Sequence, residues 1–593
     1  MKANKTLPES TFYGLAFLVA LGLRLYQLGA APLSEAEAGW ALQALGLAHG
    51  QAVTLGAQPA YILITSQLFS ILGDTNFLAR FIPALAGSLL IWLPFYTRTW
   101  LGNSSLLKRA GMVMAFGLAI DPGLVSLSRQ AGSLMPAMAF TLLALAGLYN
   151  RRMIWAGIFA GLALLSGPAF LQGLLILGIG WGLYRLLVRK TVAAQPEASD
   201  TEQPEATAPA PMLPAPSIKT GVIALGLTLL FAGSLFLRAP QGLGGLAETI
   251  PAYFKTWVIS SGIPLFRLPL SLLVYQPLVL ILGLVGAIHA WFGTVDEQQS
   301  RQSMLGLSLL ALVAFLLPWL YAGRQVGDLA WTVVPLWALA AIEISRALTF
   351  DEDRVSNFVV VGLALLLSLF AVIGWLNFLS IGRFQVNLVV YWGIILGALL
   401  LGLIAVLLVI AGWSARAGKL GAVLSVCMML GLYMASTTWG MAIVRQNGAQ
   451  ELWSLIPTTG QADLLKQTLA DLSSWNTGLR DQLEVVVLAD SAALQWALRD
   501  FPNARYEASL SPTESPPVVI TQKGADEPRL AQQYRGQDFV WHLSPGWQGS
   551  LPSDFVNWLA FRQAPLAQDQ IILWARSDIF PGGGSIATGN ATP

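Results

Sequence analysis

Residues 387–412 read NLVVYWGIILGALLLGLIAVLLVIAG, 26 positions without one charged side chain. At 1.5 Å of rise per residue such a helix is about 39 Å long, enough to cross the roughly 30 Å hydrocarbon core of a bilayer. Lipid offers the backbone no hydrogen bonds, so a run of this kind closes them within itself as a helix. Outward from this stretch, twelve more apolar segments centre on 11–29, 77–100, 108–125, 132–149, 153–167, 168–189, 219–238, 268–292, 304–322, 327–347, 356–380 and 419–441. About thirteen spans are therefore expected, with one shared turn at Ser166-Gly167-Pro168. Composition agrees: 55% of the chain is hydrophobic and 11% charged, against about 25% charged in a water-soluble domain. A net charge of +2 without a long basic run argues against a nucleic-acid partner. The lone Cys427 rules out an intramolecular disulfide, and three scattered histidines without Cys-rich motifs argue against a zinc site.

Lys2 and Lys5 precede the first apolar run, and Ala30-Ala31-Pro32 is a poor cleavage site because Pro follows directly, so a retained span is expected. With the N-terminus in the cytoplasm, Arg98, Lys108, Arg109, Arg151, Arg152, Arg185 and Arg189 fall in short cytoplasmic loops. An odd span count then leaves everything after about Arg445 outside. Five regions follow: an N-terminal transmembrane module with the first external loop (1–190), a disordered cytoplasmic linker (191–218), a C-terminal transmembrane module (219–445), a soluble extracytoplasmic domain (446–578) and a flexible tail (579–593). The linker is rich in Pro, Ala and Glu and lacks core formers. In the soluble part, Leu483–Leu488, Pro517–Ile520 and Gln570–Ala575 read as strands alternating with helices near 463–472 and 492–499. The fold class expected is a polytopic α-helical plasma-membrane protein with a small C-terminal α/β domain.

The loop between the first two spans carries Leu33-Ser34-Glu35-Ala36-Glu37-Ala38-Gly39-Trp40, an acidic start to a helix ending near His49-Gly50. Glu35 and Glu37 are two apart, so on a helix they diverge and only one can point inward. Two readings stand. The acids rim a membrane cavity, or Ser34 and Glu37 form a capping box.

These residues resemble the start of the GT-C membrane glycosyltransferases, in the order Arg24-Leu25, Leu28-Gly29, Pro32-Leu33, Glu37-Ala38, Trp40 and Ala44. The group most resembled is that of protein O-mannosyltransferases and aminoarabinose transferases, the family 39 type, nearest its flippase-activity-associated relatives. Gln58-Pro59-Ala60-Tyr61, Gly73-Asp74 through Arg80-Phe81-Ile82-Pro83-Ala84, and Asp121-Pro122 with Ser126–Arg129 continue the resemblance, which covers mainly 20–150. The segment Ala489–Phe501 also looks like the external domain of these proteins. The resemblance implies an outer-leaflet transferase using a polyprenyl-phosphate sugar donor and a glycan, lipid or protein acceptor. It also implies an acidic residue of the first external loop that acts as base or holds a divalent metal, so Glu35 and Glu37 are the catalytic candidates. The sequence departs from the pattern where the family has acids: Ala36 precedes Glu37, and Ser133 follows Arg129 by four. Either Glu35 or Glu37 substitutes, or the chain keeps the scaffold to bind or help flip lipid-linked glycans without transferring sugar.

A phosphate leaving group calls for fixed positive charge, and Arg24, Arg80, Arg129 and Arg324 are the candidates for holding it. The alternative for each is a snorkelling anchor. Arg24 lies inside the first apolar run, with Glu35, Glu37 or a phosphate as its expected partner, and Arg324 can pair with Asp328 at i,i+4. His49 is a further candidate for proton transfer, whereas His289 and His542 read as structural. Gly242-Leu243-Gly244-Gly245 follows a span rather than a strand, which favours a mobile loop over a nucleotide cradle. A secondary transporter fits the span count but is disfavoured by the lack of a matched pair of Gly/Pro-broken spans.

Overall fold

The computed structural model describes residues 8–101, 104–193, 218–293, 298–348, 354–381, 388–446, 448–453, 458–524, 530–545 and 555–581. Every one of the thirteen apolar segments contains helix. Among the described residues, seven helices are long and apolar enough to cross a bilayer, or nine if each of two bent pairs is one span. Four shorter apolar helices accompany them. Most of 191–218 and nearly all of the 579–593 tail lie outside the described residues.

The chain begins with α1 (Glu9–Leu25), α2 (Glu35–Ala48), α3 (Pro59–Leu72) and α4 (Asn76–Leu89). Pro59 opens α3 at a position where a missing N–H costs nothing. Thr75 starts α4 by accepting the Leu78 N–H at 3.2 Å. The central post is Val326–Ala347, with 94% of its apolar window buried, against 11% for the peripheral Trp392–Gly412. Glycines let neighbours press on the post: a Cβ at Gly117 would lie 2.3 Å from Trp337, and one at Gly173 2.2 Å from Trp331.

Two helix pairs are bent, Ser105–Ile120 with Pro122–Ser128 by 54° and Arg267–Tyr275 with Pro277–Phe292 by 101°. The expectation is of no matched pair of Gly/Pro-broken spans; two breaks are present. Each break falls where a proline opens the second half. The breaks also meet, Gln276 Nε2 donating to Asp121 Oδ1 at 2.7 Å. Asp121, fully buried, also takes the Leu124 N–H at 2.9 Å and the Trp337 indole at 2.8 Å. With both its oxygens engaged inside the packing, the breaks stitch helices together.

After the helical body comes a sheet of six strands: β1 (Thr458–Thr459), β2 (Val485–Val487), β3 (Ala504–Tyr506), β4 (Val518–Gln522), β5 (Tyr534–Pro545) and β6 (Leu566–Arg576). Their order is β1-β5-β6-β4-β2-β3. β3, β2 and β4 run parallel, and β6, β5 and β1 are joined antiparallel. All three β2 valines are buried, as in a strand covered on both faces. The helices Ala462–Thr477 and Ala492–Ala497 pack beside it. One hydrophobic core unites this sheet with the segment that follows α1. Leu33, Ala41, Tyr61 and Phe69 share a cluster with Leu465, Val485, Trp496 and Phe539.

Candidate active site

Under α2 the helical body holds a cavity of about 330 Å³. α2 contributes Ala36, Glu37 and Trp40 to its wall. The segment after the first bend adds Ser133, the Pro168–Ala193 helix adds Gln172, and the Gln241–Val258 helix adds Tyr253. Tyr321 and Gln325 come from the turn leading into the central post, and Asp328 from the post's first turn. The Gly-rich stretch expected as a mobile loop is thus helical. Two of its glycines are needed for close approach, since a Cβ on Gly242 would sit 2.1 Å from the Gly233 carbonyl oxygen and one on Gly245 2.9 Å from that of Gly56.

The two glutamates diverge as their spacing required. Glu37 turns inward, and the capping-box geometry is present, the Ser34 N–H donating to Oε2 at 3.0 Å. The same carboxylate receives Arg80 Nε and Nη2, both at 2.8 Å, and the Ala131 N–H at 2.7 Å. Burial opposes its charge, but Arg80 and these donors prevail and hold its pKa below the carboxylate range. Glu35 turns away, toward the sheet. It accepts from the Ser491 hydroxyl and the Ala493 N–H (3.1 Å), and His542 Nε2 lies 2.8 Å from Oε1. Partial burial works against ionisation, yet these partners bring it down to about 2. A β-bulge between Val540 and His542 sits at the point where β5 presents that imidazole.

The candidate cations are bound mainly to the backbone. Arg24, fully buried, donates to the carbonyls of Leu118 (3.2 Å) and Ala119 (3.1 Å) and to Ser128 Oγ (3.2 Å). Its partner is neither glutamate. Arg129 donates to the carbonyls of Leu23, Arg24, Tyr26 and Gln27. Beyond Glu37, Arg80 reaches the carbonyls of Leu28, Ala31 and Pro32. Arg324 donates from Nε to Pro318 and from Nη1 to Ile263. It does not pair with Asp328, which is engaged by Tyr321 and the Gln325 N–H (2.8 Å). Among the described residues the cavity wall contains no Arg or Lys. His49 caps the exposed end of α2 and His289 lies 3.0 Å from Glu343, both away from the cavity wall.

Set against solved structures, the chain superposes on ArnT from Cupriavidus metallidurans bound to undecaprenyl phosphate with a TM-score of 0.53, 16% identity and coverage of 95% of this chain and 98% of that one. The chain has the fold of that ArnT structure. The apo form of the same enzyme gives 0.49 with 16% identity, covering 96% and 99%. The apo oligosaccharyltransferase of Archaeoglobus fulgidus gives 0.42 with 13% identity, covering 88% and 70%. The fold assignment rests on the first of these. No family model and no curated protein matches the chain.

Within this fold the cavity wall includes residues that the sequence did not mark as site candidates. Tyr253 donates to Gln172 Oε1 at 2.9 Å, Gln172 Nε2 donates to Tyr321 Oη at 3.3 Å, and Tyr321 donates to Asp328. One signal was available: Asp328 is an acid in the short turn between two apolar runs, close to Tyr321. Gln172 gave none beyond being polar in an apolar helix. A divalent ion such as Mg²⁺ or Ca²⁺ needs about six oxygens, while one of the two cavity carboxylates, Glu37, is filled by N–H and guanidinium donors. Among the described residues no three His, Cys, Asp or Glu converge. The residues present do not fit a resident metal.

Proposed function

We propose that this protein transfers a sugar from a polyprenyl-phosphate donor to a hydroxyl of an extracytoplasmic glycan, lipid or protein acceptor. The proposal includes the topology expected from the loop charges, with the N-terminus cytoplasmic and α2 and the sheet outside. The single observation that carries it is a half-open cavity of mixed polar and apolar lining at the family's acidic position, under the Ala36-Glu37 turn of this ArnT-like fold. Its hydroxyls, carboxamides and Trp40 suit a sugar ring, which presents hydrogen-bonding edges and an apolar face. For the donor phosphate the favoured ligand is Arg324. Its neighbours Gly323 and Gln325 both line the cavity, and no described residue engages its Nη2. Arg24, Arg80 and Arg129 fix the loops around the site, and Glu35 and Glu37 fix α2 as its roof.

A second reading is favoured by Ala36 and Ser133, which line the cavity where the resembled family carries acids. There the chain binds a lipid-linked glycan without breaking it. Purified protein in liposomes, given undecaprenyl-phosphate sugars radiolabelled in the sugar together with envelope extract as acceptor, separates the two. Label moving from the undecaprenyl-phosphate sugar to any other species as free undecaprenyl phosphate accumulates supports transfer. Tight binding of the labelled lipids with no release supports the second reading.

A further inference from the structure

Of the carboxylates near the cavity, one has the makings of a proton acceptor. Glu37 is filled on both oxygens by guanidinium, hydroxyl and N–H donors. Glu35 is engaged by the sheet and is not part of the wall. Asp121 is locked into the meeting of the two helix breaks. Asp328 alone lines the cavity with an oxygen to spare: Tyr321 and the Gln325 N–H both bind Oδ2, and no described residue binds Oδ1. Its position is held from behind. The Gln325 contact completes a cap at the start of the Val326–Leu329 turn. Tyr321, 4% exposed, is oriented in turn by Gln172 and Tyr253. A carboxylate fixed through one oxygen, on a residue that lines a ligand-sized space, is the geometry of a positioned general base.

We propose that Asp328 is the catalytic base of this site, taking over from the first external loop, and that Tyr321 is its positioning residue; this rests on the transferase reading. In the step, Asp328 Oδ1 accepts the acceptor hydroxyl's proton while the acceptor oxygen forms its bond to the sugar's anomeric carbon. The bond from that carbon to the phosphate oxygen breaks, its electron pair leaving with polyprenyl phosphate. Asp328 then returns the proton to water.

The test uses full-length protein in liposomes with whichever undecaprenyl-phosphate glucose, mannose or arabinose the wild type consumes. D328N is expected to lower kcat by about 10²-fold or more, within the range for general-base catalysis, with KM within twofold and wild-type melting. D328A should recover part of its rate in added formate, as a missing base does and a missing strut does not. Y321F should lower kcat by less, with KM unchanged. Wild-type turnover together with D328N retaining more than half of kcat overturns the assignment and leaves the transferase reading intact. Turnover by wild type of none of the three donors removes both. If D328N melts early, formate decides: no rescue of D328A overturns the proposal.

Discussion

Glu37 and Arg80 meet edge to edge, with Nε on Oε1 and Nη2 on Oε2, each pair 2.8 Å apart and each side chain 7% exposed. The pair joins α2 to α4, and its remaining hydrogen bonds reach the turn before α2 and the segment at Ala131. Removing one partner leaves a buried charge uncompensated, at about 3–5 kcal/mol. E37Q and R80A are each expected to lower the melting temperature strongly in detergent. The double variant should cost less than the sum of the two, read by a double-mutant cycle. A sum that is strictly additive would mean the two side chains act apart.

Glu35 predicts a loss of stability in acid. Its folded pKa, about 2, lies below its ordinary 4.5. It therefore contributes stability that is complete above the ordinary value and lost as pH falls from about 4.5 toward 2. Hydrogen exchange of α2 and of the Ala492–Ala497 helix should accelerate across that window. E35Q should show faster exchange at neutral pH and a flatter acid response.

Gly117 faces the ring of Trp337, whose indole holds Asp121. G117A forces the ring aside and should cost about 1–3 kcal/mol, as overpacking does. The accompanying sign is a changed tryptophan fluorescence signal, absent in G178A, where a Cβ meets nothing within 4 Å.

Arg324 and Arg24 should behave oppositely. R324A removes a charged donor worth about 1.5–3 kcal/mol, so its affinity for undecaprenyl phosphate should fall about 10–100-fold while melting stays near wild type. R24A strands buried carbonyls of Leu118 and Ala119 and should melt early. If R324A binds the lipid as wild type does, phosphate contact at this residue is ruled out.

The helical body was legible because apolar length is a direct physical demand of lipid, and each run the composition marked contains helix. Strands β2 and β4 and the second half of β6 were legible as short apolar runs. β5 was not: Tyr534-Arg535-Gly536-Gln537-Asp538 is polar, and its place comes from pairing with β6. The divergence of Glu35 and Glu37 followed from helical spacing, but their partners did not. Arg80 and His542 lie 43 and 507 residues away from them. Asp328 has Arg324 four residues back as its obvious partner in sequence, but the bond it makes is to Tyr321, seven back, because the turn folds that hydroxyl onto it.

The shared core has a consequence for the order of events at the ribosome. Leu33 accepts the Thr459 hydroxyl across 426 residues of chain, and at roughly 5–20 residues per second that interval is about 20–85 s of synthesis. For all that time Leu33, Tyr61 and Phe69 wait beside the newly inserted helices with no sheet to cover them. The first loop to leave the ribosome is among the last to reach its final shape.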